Sequence, residues 1–212
     1  MKVRFSAAET RDILVAWGAL GLAFTLFILQ TNRQYSLLPD PTSVPTAFLL
    51  RVFLASLLTV GVGFLLHELA HKLVAIHYGQ VAAFKADYGM LGLAVLGGLA
   101  GFLFAAPGAV YHSGRVTPRE HAFIAVAGPL VNVALAALFA IPWLLFGGAG
   151  IVGEAAQLGV TVNAILAGFN MLPFGPLDGR KVRQWSLAGF AVTFALCVGA
   201  AVGAYLFVGF PF

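Results

Sequence analysis

Apolar stretches that could serve as membrane helices recur along the chain at 12–30, 47–76, 90–110, 121–146, 155–175 and 186–209. Each meets or approaches the ~20 residues that a spanning helix needs, so counting alone predicts six spans. The connections are richer in Pro, Gly, Asp and charge, and the most polar one, 32–46, is punctuated by Pro39, Pro41 and Pro45. Residues 80–89 are too polar to span and read as a loop or short strand. The third run stands apart, because Gly92, Gly97, Gly98, Gly101, Pro107 and Gly108 all weaken a helix. It fits a re-entrant hairpin as well as a crossing, and re-entrant backbone is tolerated at membrane depth only under cover of protein or a wet cavity.

Positive charges separate the two topologies. If 90–110 does not cross, Lys2, Arg4, Arg11, Lys72, Lys85, Arg115, Arg119, Arg180, Lys181 and Arg183 collect on one face, ten in all, against two, Arg33 and Arg51, on the other. If it does cross, the last five of those ten change face and the split becomes five against seven. Cytoplasmic loops carry the Lys and Arg excess. The expectation is an all-α, polytopic transmembrane helical bundle of five spans, rather than the six of simple counting, with a re-entrant segment near 90–110. Its N-terminus is cytoplasmic and its C-terminus outside the cell membrane.

Composition agrees with a lipid bilayer as the surrounding medium. Of 212 residues, 60% are hydrophobic and 9% charged, with a mean hydropathy of +0.94, which excludes an ordinary soluble domain. The length accommodates a single membrane domain, 1–212, without a sizeable soluble module. The net charge of +4 comes from residues scattered at the ends of apolar runs, so it signals topology rather than nucleic acid. The basic N-terminus precedes a run of span length with no small-residue cleavage site, which reads as a retained anchor. Cys197 is the single cysteine, so no intrachain disulfide can form and a metal site must use His and carboxylate ligands.

Such ligands occur near the end of the second run, in His67-Glu68-Leu69-Ala70-His71. On a helix, positions i and i+4 share a face, so both imidazoles can reach one ion and the carboxylate between them can reach its water. Zinc suits this donor set, and its catalytic sites combine three protein ligands with water. Two His and a Glu near a helix end also read as interfacial polar groups, but ionisable residues within a span usually mark function.

Among eight acidic residues, Asp178 is the candidate third ligand. It follows Asn170-Met171-Leu172-Pro173-Phe174-Gly175-Pro176-Leu177, where two prolines interrupt an apolar helix. An ordinary Pro/Asp/Gly turn is the plainer reading. Asp178 can meet the two histidines only if 90–110 does not cross, which is the topology the charges favour. His77 reads as interfacial, His112 and His121 as exposed loop residues, and Asn132 as a bond to a neighbouring helix.

Taken together, His67-Glu68-x-x-His71, Gly128-Pro129-Leu130-Val131-Asn132 and Asn170-x-x-Pro173-x-x-Pro176-Leu177-Asp178-Gly179 resemble, in content and order, the site-2 protease family of intramembrane zinc metalloproteases. The likeness is strongest over 48–183 and points to a minimal prokaryotic or archaeal form, without the PDZ or CBS domains of many relatives. It implies one Zn2+ per chain on His67, His71 and Asp178, Glu68 as acid/base, and Asn170 in the site beside the substrate carbonyl or oxyanion. It further implies a transmembrane protein or peptide as substrate and an active site toward the cytoplasmic side. The segment 81–88 is a candidate edge for pairing with an extended substrate.

A transporter or metal-ion carrier is the alternative, with the same polar cluster as a transit site at a broken helix. It explains the interrupted span, but leaves the position of Glu68 unexplained and lacks the paired broken helices of an inverted repeat.

Overall fold

The computed structural model describes residues 3–32, 35, 37–38, 40–103 and 107–211. Lys2, Arg33 and Pro39 of the charge and turn pattern, and residues 104–106 of the third apolar run, lie outside the described residues. Helix α1 (Ala7–Thr31) starts at Ser6, whose hydroxyl accepts from the Glu9 N–H. Helices α2 (Thr46–Ser56) and α3 (Val62–His77) are joined without a break by a π-helical turn, Leu57–Gly61. Across that turn the Val62 N–H reaches back to the Leu57 carbonyl, which also accepts from Trp17 Nε1 at 3.0 Å.

Strand β1 (Val81–Ala86) leads into α4 (Tyr88–Leu99), and β2 (Gly108–Ser113) returns. Next comes α5 (Pro118–Phe146), opened by a reciprocal Thr117/Glu120 cap and Pro118. Helices α6 (Gly150–Asn170), α7 (Asp178–Trp185) and α8 (Leu187–Phe207) complete the chain.

Among the described residues, 5 helices are long and apolar enough to cross a membrane: α1, the Thr46–His77 rod, α5, α6 and α8. The sixth span of simple counting is absent for two reasons. Helix α4, at 12 residues, covers only about 18 Å of a hydrocarbon core of ~30 Å. In addition, β1 and β2 pair antiparallel from Val81↔Ser113 to Ala86↔Gly108, so the chain between Ala86 and Gly108 leaves and returns at one place. The two ends of the glycine-rich run are therefore held together at the sheet, as a re-entrant segment requires, and most of 80–89 is strand.

The expected substrate edge along 81–88 is not free. One side of β1 pairs with β2. On the other side, the Phe84 N–H donates to Glu9 Oε1 at 2.9 Å and the Ala86 N–H to Asp12 Oδ2 at 3.1 Å. Carboxylates of α1 thus take the backbone donors that an incoming strand would use. The outer edge of β2 remains, and there the Val110 N–H donates to Glu68 Oε2 at 3.1 Å.

The core centres on α6. Leu158 and Val162 pack with Val52, Val60 and Leu29, while Ala167 and Met171 pack with Ala122, Ala125, Val182 and Cys197. Through Met171 and Val182 this second cluster fixes α7 against α5, and so fixes where α7 begins.

Candidate metal centre

Three side chains from two distant parts of the chain meet between α3, α5 and α7. His71 Nε2 lies 3.2 Å from Asp178 Oδ2 and His67 Nε2 lies 3.6 Å from the same oxygen. All three residues are buried. The histidines reach one point because α3 is regular from Val62 onward, so residues four apart stack on one face. Asp178 reaches it because α6 ends at Asn170 and a turn carries the chain back to start α7 at Asp178 itself. That turn is tight: a Cβ on Gly179 would collide with the backbone carbonyl of Met171.

The outer faces of both imidazoles are held. His67 Nδ1 is 2.5 Å from Asn132 Oδ1, and His71 Nδ1 is 2.7 Å from the Ile124 carbonyl. The Asn132 amide nitrogen donates to the Gly63 carbonyl and to Asn163 Oδ1, so its oxygen must be the group facing His67. Each Nδ1 therefore donates, and each Nε2 is turned toward Asp178, where it offers a lone pair when the ring is neutral and a proton when it is charged. With neutral rings, two lone pairs and a carboxylate oxygen face one another and suit a cation between them; with charged rings, the Nε2 protons go to Asp178 Oδ2 instead.

This is the donor set of a zinc site, completed by the outer hydrogen bonds that fix ligand orientation. Space has been left for it as well. A Cβ on Gly128 of α5 would come within 2.5 Å of both Nε2 atoms, so only glycine lets α5 pass so close.

His67, Glu68 and His71 together present ligand atoms within 4.8 Å of one another. Lys181 Nζ donates to Asp178 Oδ1 at 3.0 Å, leaving Oδ2 to the histidines. Burial alone would raise the Asp178 carboxyl, but His71, His67 and Lys181 outweigh it and hold it below the usual carboxylate range.

Of the residues expected from sequence, His67, His71, Glu68 and Asp178 come together. Asn170 does not point to them: its amide donates to the Leu166 carbonyl one turn back on α6. His77 is exposed at the end of α3 and meets the Tyr78 ring edge-on. His112 and His121, expected in solvent, are half-buried, with ring centroids 5.6 Å apart across β2 and α5. Burial, then Lys181 and His71, lowers the pKa of His112.

Asn132 does bond a neighbouring helix, but its partner His67 was not evident. Only the glycine and proline just before it on α5 hinted at a close helix contact.

Three relatives carry the name "Putative zinc metalloprotease". MJ0611 of Methanocaldococcus jannaschii is 45% identical over 141 residues, covering 66% of this chain and 74% of its own. YwhC of Bacillus subtilis is 31% identical over 147 residues, 60% of this chain and 66% of its own. Rip3 of Mycobacterium tuberculosis is 35% identical over 125 residues, 57% of this chain but only 28% of its own length. No protein-family profile and no solved structure matches the chain.

Proposed function

The chain belongs to the site-2 protease family of zinc metalloproteases, and from that membership we propose that it hydrolyses a peptide bond in or near a transmembrane segment of a membrane protein or peptide. The observation that carries this reading is the convergence of His67 Nε2 and His71 Nε2 on Asp178 Oδ2, next to the carboxylate of Glu68, within a chain of 5 potential spans. One zinc ion per chain would be held by those three residues. Bound there, zinc supplies Lewis-acid polarisation of the substrate carbonyl and lowers the pKa of its water to about 7.

The protein's own groups do the rest. Asn132 and the Ile124 carbonyl keep both imidazoles in the ligating tautomer. Glu68 receives the Val110 N–H on Oε2, which leaves Oε1 to take a proton from water and hand it to the leaving amine nitrogen. A substrate helix must first unwind, because its carbonyls are already hydrogen-bonded. Once extended, it can run along the outer edge of β2, past Glu68. Asn170 beside the substrate oxygen would require its amide to turn away from Leu166.

In the cell membrane, the multi-pass topology that fits the charge bias has the N-terminus and the metal centre toward the cytoplasm. The test compares zinc content and cleavage of a transmembrane reporter by wild type, Glu68→Gln and Asp178→Ala. Wild type and Glu68→Gln should each hold one zinc, Asp178→Ala should hold less, and both variants should fail to cleave. Full cleavage by Glu68→Gln would overturn the mechanism. Bound zinc with no cleavage by wild type would instead favour an ion carrier, checked by transport into sealed vesicles.

A further inference from the structure

A cavity of about 260 Å3 lies between α1, α3 and the sheet, with Glu68 on its wall. Its sides are the apolar groups Ile13, Phe64, Leu65, Leu69, Phe84 and Val110. At its far end sit Glu9 and Lys72, both buried and both already satisfied. Lys72 Nζ donates to Glu9 Oε1 at 2.6 Å and to the Arg4 carbonyl at 2.8 Å, and lies 3.7 Å from the centre of the Phe5 ring. Glu9 Oε1 also takes the Phe84 N–H. Lys72 and Glu9 Oε1 are thus already bonded, and what is left to a guest is carboxylate oxygen, which repels an anionic side chain such as Asp.

The cavity has one neighbour of chemical consequence. Val110 opposes Phe84 in the sheet register, and both line the cavity while their N–H groups point outward, one to Glu68 and the other to Glu9. A peptide extended along the outer edge of β2 at Val110 would pass the mouth of this cavity at the level of Glu68. Successive side chains of such a peptide point to opposite sides, so one residue beside the scissile bond would enter while its immediate neighbour would not.

The geometry points to this cavity as a specificity pocket that receives one bulky apolar side chain, of the size of Leu, Met or Phe, from the residue flanking the cleaved bond. This rests on the proteolytic reading above and adds to it the class of residue selected.

The experiment uses the full chain in detergent with a transmembrane reporter whose cleavage site has been mapped. Leu, Phe, Ala and Asp are placed in turn on either side of the cleaved bond. On one side only, Leu and Phe should exceed Ala in kcat/KM by at least about tenfold, and Asp should be refused. Ile13→Trp, which narrows the pocket from α1, should reverse that order in favour of Ala. Ile13→Ala should move it toward Phe. Loss of folding cannot imitate a reversal of preference, because it lowers all substrates together.

In a Glu68→Gln, Cys197→Ala background, Ile13→Cys should form a disulfide with a reporter cysteine at the selected position and not with one at the adjacent position. Cleavage by wild type with the same ranking in both Ile13 variants, and no selective disulfide, would overturn the pocket and leave the protease reading intact. Failure of wild type to cleave any transmembrane reporter would instead overturn the protease reading on which the pocket rests.

Discussion

Asn132 Oδ1 lies 2.5 Å from His67 Nδ1, and the amide nitrogen of the same side chain is anchored to the Gly63 carbonyl and Asn163 Oδ1. A single side chain of α5 thus fixes the tautomer of a metal-facing imidazole on α3 while tying α5 to α3 and α6. Asn132→Leu should keep the fold's apolar volume but release His67. Loss of such an outer hydrogen bond typically weakens metal affinity 10- to 100-fold, which competition with a zinc chelator would measure. Unchanged zinc affinity would show that His67 is held by packing alone.

Gly128→Ala places a methyl group 2.5 Å from both Nε2 atoms. The rings or α5 must then move. Overpacking of this kind costs about 1–3 kcal/mol, and the expected result is a protein that still folds in detergent but retains little zinc and does not cleave the reporter. Normal zinc content in Gly128→Ala would show that α5 can shift without disturbing the centre.

Removal of zinc should lower the melting temperature of wild type, because a ligand that binds only the folded chain stabilises it. A ligand present at 100 times its Kd contributes about 2.7 kcal/mol to stability. Thermal unfolding with and without chelator should show this shift in wild type and little of it in Asp178→Ala, whose third ligand is already missing.

Lys72→Met removes one half of a buried ion pair whose other half, Glu9, is enclosed. Breaking a buried pair from one side costs about 3–5 kcal/mol. The double variant Glu9→Gln, Lys72→Met removes both charges and should recover part of the lost thermal stability. An equal loss in single and double variants would mean that the charges matter less than the shape they fill.

The re-entrant excursion makes a topological prediction. In a Cys197→Ala background, cysteines introduced at Lys85 and Arg115 should react with a membrane-impermeant reagent from the same side of sealed vesicles. Labelling from opposite sides would restore the sixth crossing.

The parts of this site that are local in sequence were legible there. The His67/His71 spacing is a property of one helix, and the two prolines before Asp178 announce a break. The charges at Arg115 and Arg180 favour a return of 90–110, and the described residues hold 5 helices long and apolar enough to cross. Three features were hidden for a common reason. The Asn132 contact joins residues 65 apart, the Glu9 and Asp12 bonds to β1 join residues more than 70 apart, and the edge-on contact of His112 with His121 depends on how β2 lies against α5. None leaves a periodic trace, since each depends on which faces meet once the helices have packed. The blocked edge of β1 is the clearest case: a loop or short strand was expected at 80–89 and a pairing edge at 81–88, but the edge is taken by two carboxylates on another helix.

The π-helical turn at Leu57–Gly61 inserts one extra residue into the winding of the rod that carries the motif. Each residue of an α-helix turns the chain by about 100°, so the outer half of the rod and the half bearing His67 and His71 are out of phase by that amount. The first can then face α1 and α6 while the second faces α5. The length of this segment is consequently under a constraint separate from its composition. Apolar substitutions at exposed Leu58 keep the winding and Gly61 is held small by Trp17, whereas deletion of one residue would allow a uniform helix and swing the histidines away from Asp178. Drift in this part of the gene is therefore expected to be tolerated at exposed Leu58 and closed to single-codon insertions and deletions.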